Sequence, residues 1–310
     1  MKQVIGIDIG GTNFRIGSVS ETGNLSCFEK KSSEKLNEQN AVEYLADEIQ
    51  SYIKRYQLDG KVLAVTIGVP SIVSKDKSFV YSTPNLKGLE NVNLGHRLES
   101  KLGISVTVDR DVNYLLSYDI HTHRLDEKNE KTIVGMYIGT GLGNAISIDG
   151  KLYVGKNGAA GELGHIPLYG LEETCACGNA GCVEIVCSGH TLQRLQKEYF
   201  PNTDISDIFV KHKDDPKIKQ FIETLAIPIS TEITILDPDY IVLGGGVLMM
   251  KDFPLNDLVS SIKKCTRKPY PSNNLQFIFS EHTQSSGVLG GAYLKWKTLQ
   301  NSNLYNGNKL

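Results

Sequence analysis

The chain has no apolar run approaching the ~20 residues that a membrane-spanning helix needs. The hydrophobic stretch after Lys2 is broken by Asp8 and by Gly10-Gly11, so it does not read as a signal peptide. Charge of one sign is also missing. Lys and Arg number 33 against 35 Asp and Glu, a net charge of −2 with no basic run. A nucleic-acid partner is disfavoured, because neutralising phosphates takes clustered Lys and Arg. Cysteine is sparse, at six in 310 residues. Six cysteines without a secretion signal point to a reducing compartment, and the expected location is cytoplasmic. The length suits two domains or one large one, with chain enough for a substantial core.

Three of the cysteines are close together. His165, Cys175, Cys177 and Cys182 form an H-x9-C-x-C-x4-C pattern within eighteen residues. Cys-x-Cys neighbours are poor disulfide partners, whereas three thiolates and an imidazole are the donor set of a closed Cys3His zinc site. Glu162 and Glu184 bracket the cluster. The bland alternative is a purely structural zinc knuckle with both acids as bystanders. Cys27, Cys187 and Cys265 fall outside the pattern and read as buried small hydrophobes.

The hydrophobic pattern repeats itself. Val4–Ile7 is a β-prone run ending at Asp8 and a double glycine, Phe14–Val19 alternates as a second strand, and Gly23-Asn24 turns toward a third at Leu25–Phe28. Ala41–Tyr56 has the spacing of an amphipathic helix, and Val62–Val69 is a buried-type strand stopped by Pro70. A second round starts at Ile133–Ile138, runs through Gly139-Thr140-Gly141-Leu142-Gly143, and returns along Asn144–Ile148. Ile218–Ile235 reads as a helix in which Pro228 predicts a kink or a break. Tyr240–Leu243 is a strand running into Gly244-Gly245-Gly246, and Ser286–Leu299 is a closing helix. Two similar α/β units facing a cleft is the economical architecture.

Asp8-Ile9-Gly10-Gly11-Thr12 sits between two strands. Glycine permits tight, positive-φ turns whose N–H groups face phosphate, and Asp8 suits a hydrated Mg2+; a plain hairpin turning at Asn13 and glycine is the alternative. Gly139–Gly143 is a second loop of this kind. It lacks the Lys-Ser/Thr of a Walker loop, and a strand follows it where a dinucleotide fingerprint would have a helix. Two strand–loop–strand phosphate candidates in tandem are far more specific than one. Gly244-Gly245-Gly246 would let a backbone approach a nucleotide base closely, or is a simple turn. Asp109-Arg110-Asp111 follows a strand at Val106–Val108 and precedes a helical run from Tyr114. A carboxylate there suits a general base, and equally an N-cap. Thr83-Pro84-Asn85-Leu86 exposes an amide suited to sugar hydroxyls, or is an ordinary turn. Residue spacing alone reaches a sugar or small-alcohol phosphotransferase.

Taken together, these motifs resemble the ROK family of bacterial sugar kinases, over essentially the whole chain. The resemblance implies the actin-like ATPase (ribonuclease H-like) α/β fold, two α/β lobes around a central cleft. Residues 1–117 would form the small lobe, with a helix at about 286–300 packing back on it, and residues 118–285 the large lobe with the zinc loop. It implies Asp8, Gly10, Gly11, Thr12 and Asn13, then Gly139, Thr140, Gly141 and Gly143, as phosphate loops. Gly244, Gly245 and Gly246 would lie beside the adenosine. It implies Asp111 as catalytic base, and Asn85, Arg110, Asp111, Glu162, His165 and Glu184 as sugar-binding residues. His165, Cys175, Cys177 and Cys182 would hold Zn2+, with ATP and Mg2+ as the other cofactors. His165 would ligate the zinc through one ring nitrogen and face the sugar with the other. A homodimer is the family habit.

Two departures stand out. The family usually has Asn immediately before the catalytic Asp, where this chain has Arg110, and commonly Gly where it has Ser71. A long five-donor cation at the first position should change which hydroxyl stereochemistry fits. The runs Ser74-Lys75-Asp76-Lys77, Ser82–Leu86 and Arg110–Asn113 are most similar to members acting on D-allose, which differs from glucose only at C3. The implied reaction is transfer of a phosphoryl group from ATP to the 6-hydroxyl of a hexose. Family repressors carry a DNA-binding segment ahead of the first loop, for which the residues before Asp8 leave no room. A non-catalytic sugar sensor would not need Asp111.

Overall fold

The computed structural model describes residues 1–83, 86–125 and 130–307; Pro84 and Asn85 lie outside the described residues. The chain forms two compact units. The first comprises residues 1–125, 154–160 and 283 onward, and the second residues 126–153 and 161–282.

The first unit opens with three antiparallel strands, β1 (Gln3–Ile9), β2 (Asn13–Ser20) and β3 (Leu25–Ser32), followed by helix α1 (Ala41–Arg55). β4 (Val62–Val69) pairs parallel to β1 and is followed by the short hairpin β5 (Ile72–Val73) and β6 (Val80–Ser82). Helix α2 (Leu94–Leu102), strand β7 (Ser105–Arg110) and helix α3 (Asp111–Thr122) complete this run. The sheet order is β3-β2-β1-β4-β7. β1 and β4 are near-continuous apolar runs because both their faces are covered, whereas the edge strand β3 alternates between partly buried and exposed residues. On α1 the side chains of Val42, Leu45, Ile49, Tyr52 and Ile53 are buried, the stripe that its 3.6-residue period predicts.

The second unit repeats the plan. β8 (Thr132–Ile138), β9 (Leu142–Ile148) and β10 (Lys151–Leu152) are antiparallel; helices α4 (Glu184–Cys187), α5 (Gly189–Tyr199), α6 (Ile208–His212) and α7 (Pro216–Leu236) follow. β11 (Tyr240–Gly244), α8 (Leu255–Cys265) and β12 (Phe277–Phe279) finish the sheet, in the order β10-β9-β8-β11-β12. α7 runs unbroken through Pro228, which is buried with Leu225, Ile229 and Ile233. Packing along this face outweighs the lost backbone donor, so of the kink or break expected at Pro228 the break does not occur.

The last helix, α9 (Ser286–Gly307), returns to the first unit and packs on α3 and β1. Glycine makes this approach possible. A Cβ on Gly290 would lie 1.8 Å from the Tyr114 carbonyl oxygen, and one on Gly6 would lie 2.2 Å from that of Val288. Trp296 donates its indole N–H to the Val19 carbonyl at 3.1 Å, locking the helix to β2. Cys187 is buried as expected, but Cys265 is exposed and Cys27 only partly buried. Cys265 ends α8 beyond its apolar stripe, which is Leu258 and Ile262. Among the described residues, no helix is long and apolar enough to cross a membrane.

Candidate active site

In the first unit, three parallel strands end side by side. Asp8 on β1 is in register with Gly68 on β4, and Gly68 with Asp109 on β7. Ligands of open α/β sheets gather at such carboxyl ends. β7 extends two residues further than its apolar run, since Asp109 and Arg110 pair with Gly68 and Val69. Both are charged yet buried, so each needs partners. Asp109 Oδ1 accepts from the Arg110 amide at 2.8 Å and from Asn113 Nδ2 at 2.6 Å. Arg110 donates from Nη1 to the Ala160 carbonyl, which fastens residues 154–160 to this unit.

Asp111 is the first residue of α3, where the helix dipole favours a negative charge. Its Oδ1 accepts the Val112 N–H at 2.8 Å. The capping position is Arg110, without a side-chain cap bond, so neither Asp109 nor Asp111 is the N-cap.

The first glycine loop closes with the Gly10 N–H on the Asn13 carbonyl at 2.9 Å and leaves Gly11 and Thr12 exposed. Asp8 lies 3.3 Å from Arg15 Nη1, and a Cβ on Gly287 would meet its Cγ at 2.8 Å. The start of α9 therefore lies directly against this carboxylate.

The second loop, in the second unit, is built differently. Gly139 donates to the Gly141 carbonyl at 3.0 Å, while Gly189 and His190 at the start of α5 donate to the carbonyls of Gly139 and Thr140. Glu184 Oε2 accepts the Leu142 N–H at 2.7 Å, and a Cβ on Gly141 would lie 2.3 Å from that oxygen. Glycine is required here for space. Positive φ occurs at Gly245 and not at Gly10, Gly11, Gly139 or Gly141, which corrects the expectation of left-handed turns in both phosphate loops. Gly143 lies within β9 and Gly244 within β11. A Cβ on Gly245 would be 2.5 Å from the Ile138 carbonyl oxygen, whereas one on Gly246 would meet open space.

His165, Cys175, Cys177 and Cys182 place their ligand atoms within 4.8 Å of one another. His165 Nδ1 is 3.6 Å from Cys175 Sγ, and Cys177 Sγ is 3.5 Å from Cys182 Sγ. Ligands at ~2.3 Å (S) and ~2.0 Å (N) around a tetrahedral Zn2+ would be separated by about 3.5–3.8 Å, so the donor set and its size fit zinc. The Cys175–Asn179 turn is held by the Cys175 N–H on the Asn179 carbonyl, with Gly178 at φ +95°. Burial, and then the neighbouring thiols, push the Cys182 thiol up to about 12, while a backbone hydrogen bond at Asn179 holds that of Cys177 down. The other ring nitrogen of His165, Nε2, is 3.6 Å from Glu162 Oε2. At the second departure, the Ser71 hydroxyl donates to the Ser82 carbonyl across the β5–β6 hairpin.

The sequence profile of the ROK family matches residues 4–298. The chain belongs to the ROK family. This ROK protein is 30% identical over 315 residues to the N-acetyl-D-glucosamine kinase of Photobacterium profundum, covering 94% of this chain and 99% of that one. Among solved structures it is similar to a ROK family glucokinase from Streptomyces griseus in complex with glucose and AMPPNP. That match has a TM-score of 0.76 at 24% identity, covering 94% of this chain and 98% of the other. A ROK family transcriptional regulator homologous to the E. coli MLC protein gives a TM-score of 0.83 at 23% identity, covering 96% of this chain and 78% of that one. These likenesses show the ROK kinase fold, of the actin-like ATPase type.

Sequence reasoning gave no role to Lys77 or Glu232. Lys77 pairs with Asp109 at 2.7 Å, and Glu232 accepts from Asn144 Nδ2 at 2.8 Å. Glu232 has no local pattern that would mark it, and Lys77 stands out in the sequence only as the end of the Ser74–Lys77 run.

Proposed function

We propose that this ROK protein, an ATP-dependent sugar kinase, phosphorylates a hexose at its 6-hydroxyl and that D-allose is its preferred sugar. The observation that carries the reading is Asp111, a carboxylate at the first position of a helix that follows directly on the C-terminal end of a parallel strand. Its carboxylate accepts the O6 proton as O6 forms a bond to the γ-phosphorus. The bond from that phosphorus to the bridging oxygen breaks, and ADP leaves. Phosphoryl transfer is catalysed mainly by alignment and charge stabilisation, and a positioned base adds ~10²–10⁴-fold. Exposed backbone at Gly11 and Thr12 and the braced turn at Gly139–Gly141 suit the nucleotide's phosphates. Asp8 is the carboxylate suited to hold a hydrated Mg2+ on them.

Glu162, His165 and Glu184 hold sugar hydroxyls in this reading, with Asn85 as a further ligand. His165, Cys175, Cys177 and Cys182 would hold a Zn2+ that supplies loop rigidity. Arg110 supports allose. It replaces the family's Asn, it is buried, and its anchorage to Ala160 keeps the guanidinium in place.

A second hexose is favoured by a separate observation, the 30% identity to a relative named for N-acetyl-D-glucosamine. Initial rates with ATP and Mg2+ across allose, glucose, fructose, N-acetylglucosamine and N-acetylmannosamine decide between them. The expected result is the highest kcat/KM for allose, with Arg110→Asn moving preference toward glucose. A higher kcat/KM for any other sugar refutes allose. An unchanged allose-to-glucose ratio in the variant removes Arg110 from specificity.

A further inference from the structure

Asp109 lies two residues before the proposed base, and its carboxylate is bonded on both sides of it. Oδ1 takes the amide N–H of Arg110 and the side-chain amide of Asn113, so it clamps the first turn of α3, which carries Asp111. Oδ2 is buried without a well-aligned hydrogen-bond donor, and the Lys77 ammonium lies 2.7 Å from it as an ion-pair contact.

Lys77 is itself fixed. It sits at φ +62° in a turn where its N–H donates to the Ser74 carbonyl at 2.8 Å. Ser74 Oγ accepts the Phe79 N–H at 2.9 Å. The Lys77 carbonyl accepts the Val108 N–H at 2.9 Å, the residue just before Asp109. Lys77 is therefore held by its backbone to Val108 and by its side chain to Asp109, both near the end of β7. Nearby Lys295, on α9, donates instead to Thr107 Oγ1 at 3.2 Å.

A plain stabilising ion pair would need only one of these contacts. Here the cation's partner is the group that sets the helix start. A buried carboxylate that loses its counter-charge must take a proton or move. Either response disturbs the two bonds that place α3, and displacement of a reacting group by about 1 Å can cost ~10²-fold in rate. We propose that Lys77 is a positioning residue for Asp111, acting through the Asp109 carboxylate. The inference rests on the reading of Asp111 as the base.

The test measures steady-state rates of the full chain with ATP and its best sugar. Lys77→Met should lower kcat by roughly 30–100-fold with the sugar KM within about threefold, and Lys77→Arg should restore most of the loss. Adding Asp109→Asn to Lys77→Met should recover at least tenfold, because the orphaned charge is removed while an acceptor for Arg110 stays. If Lys77→Met is insoluble, Asp109→Asn is compared with the double variant, and the second substitution should then cost less than threefold. A Lys77→Met kcat within twofold of the parent overturns the proposal. So does a double variant no faster than Lys77→Met, or one tenfold slower than Asp109→Asn. Absence of any sugar-dependent ADP release by the parent chain would instead defeat the kinase reading itself.

Discussion

Glu232 offers a quantitative test of how the second unit is held together. It lies on α7, almost fully buried, and its carboxylate faces Asn144 on β9. Asn144 Nδ2 donates to Glu232 Oε2 and to the Gly135 carbonyl, while Asn144 Oδ1 is buried without a hydrogen-bond partner. Burial raises the Glu232 carboxyl from its ordinary 4.5 to about 8, against the opposing effect of the Asn144 bond. Below pH 4.5 the group is protonated in folded and unfolded chains alike, and its contribution to stability is fully present. Above that, the unfolded chain ionises while the folded one keeps its proton. Stability therefore falls by about 1.4 kcal/mol per pH unit until the folded group ionises near pH 8, a total on the order of 5 kcal/mol. Glu232→Gln removes the titration, and its amide can still accept from Asn144 Nδ2 and donate to Asn144 Oδ1. Between pH 6 and 8 the parent should lose roughly 3 kcal/mol more than the variant. At ~2 °C per kcal/mol, thermal unfolding at pH 6, 7, 8 and 9 should show the variant's advantage widening by about 6 °C. Parallel Tm–pH curves for the two proteins would refute a buried neutral carboxyl at this position.

Three further outcomes follow from the site. Asp111→Asn should lower kcat by at least ~10²–10⁴-fold while isothermal titration still detects the sugar; a near-normal kcat would remove Asp111 as base. Cys177→Ser should lose stoichiometric zinc in elemental analysis and lower Tm, since a structural site contributes folding energy; active parent protein free of zinc would contradict the four-ligand reading. Gly141→Ala places a methyl group against Glu184 Oε2 and should break its bond to the Leu142 amide. The KM for ATP should rise at least roughly tenfold, since a hydrogen bond to a charged group contributes about 1.5–3 kcal/mol, and an unaltered KM would show that this brace does not shape the loop.

The features visible in the sequence were those whose partners are near in the chain. β1–β2 and β8–β9 are hairpins whose apolar runs meet at glycine, so both phosphate-loop candidates are legible in the sequence alone. The His165–Cys182 cluster spans eighteen residues, and the thiols and imidazole are brought together by one short loop. What was hidden depends on distant partners. The strand at Val106–Val108 continues through Asp109 and Arg110 because Lys77 and Ala160 satisfy these charged residues. Gly141 reads as a glycine of a tight positive-φ loop, but what requires it is the Glu184 carboxylate 43 residues later. Pro228 reads as a site of a kink or a break, yet α7 stays helical on both sides of it, with its apolar face buried. Cys265 reads as a buried hydrophobe, but it falls on the outer side of a helix end.

The most direct measurement is the position of the new phosphate on the sugar. After incubation with allose, ATP and Mg2+, the account predicts one ADP per phosphosugar and a phosphorus resonance coupled to the two protons on C6. Phosphorus coupled to the anomeric proton, or no ADP formed with any hexose, would contradict it.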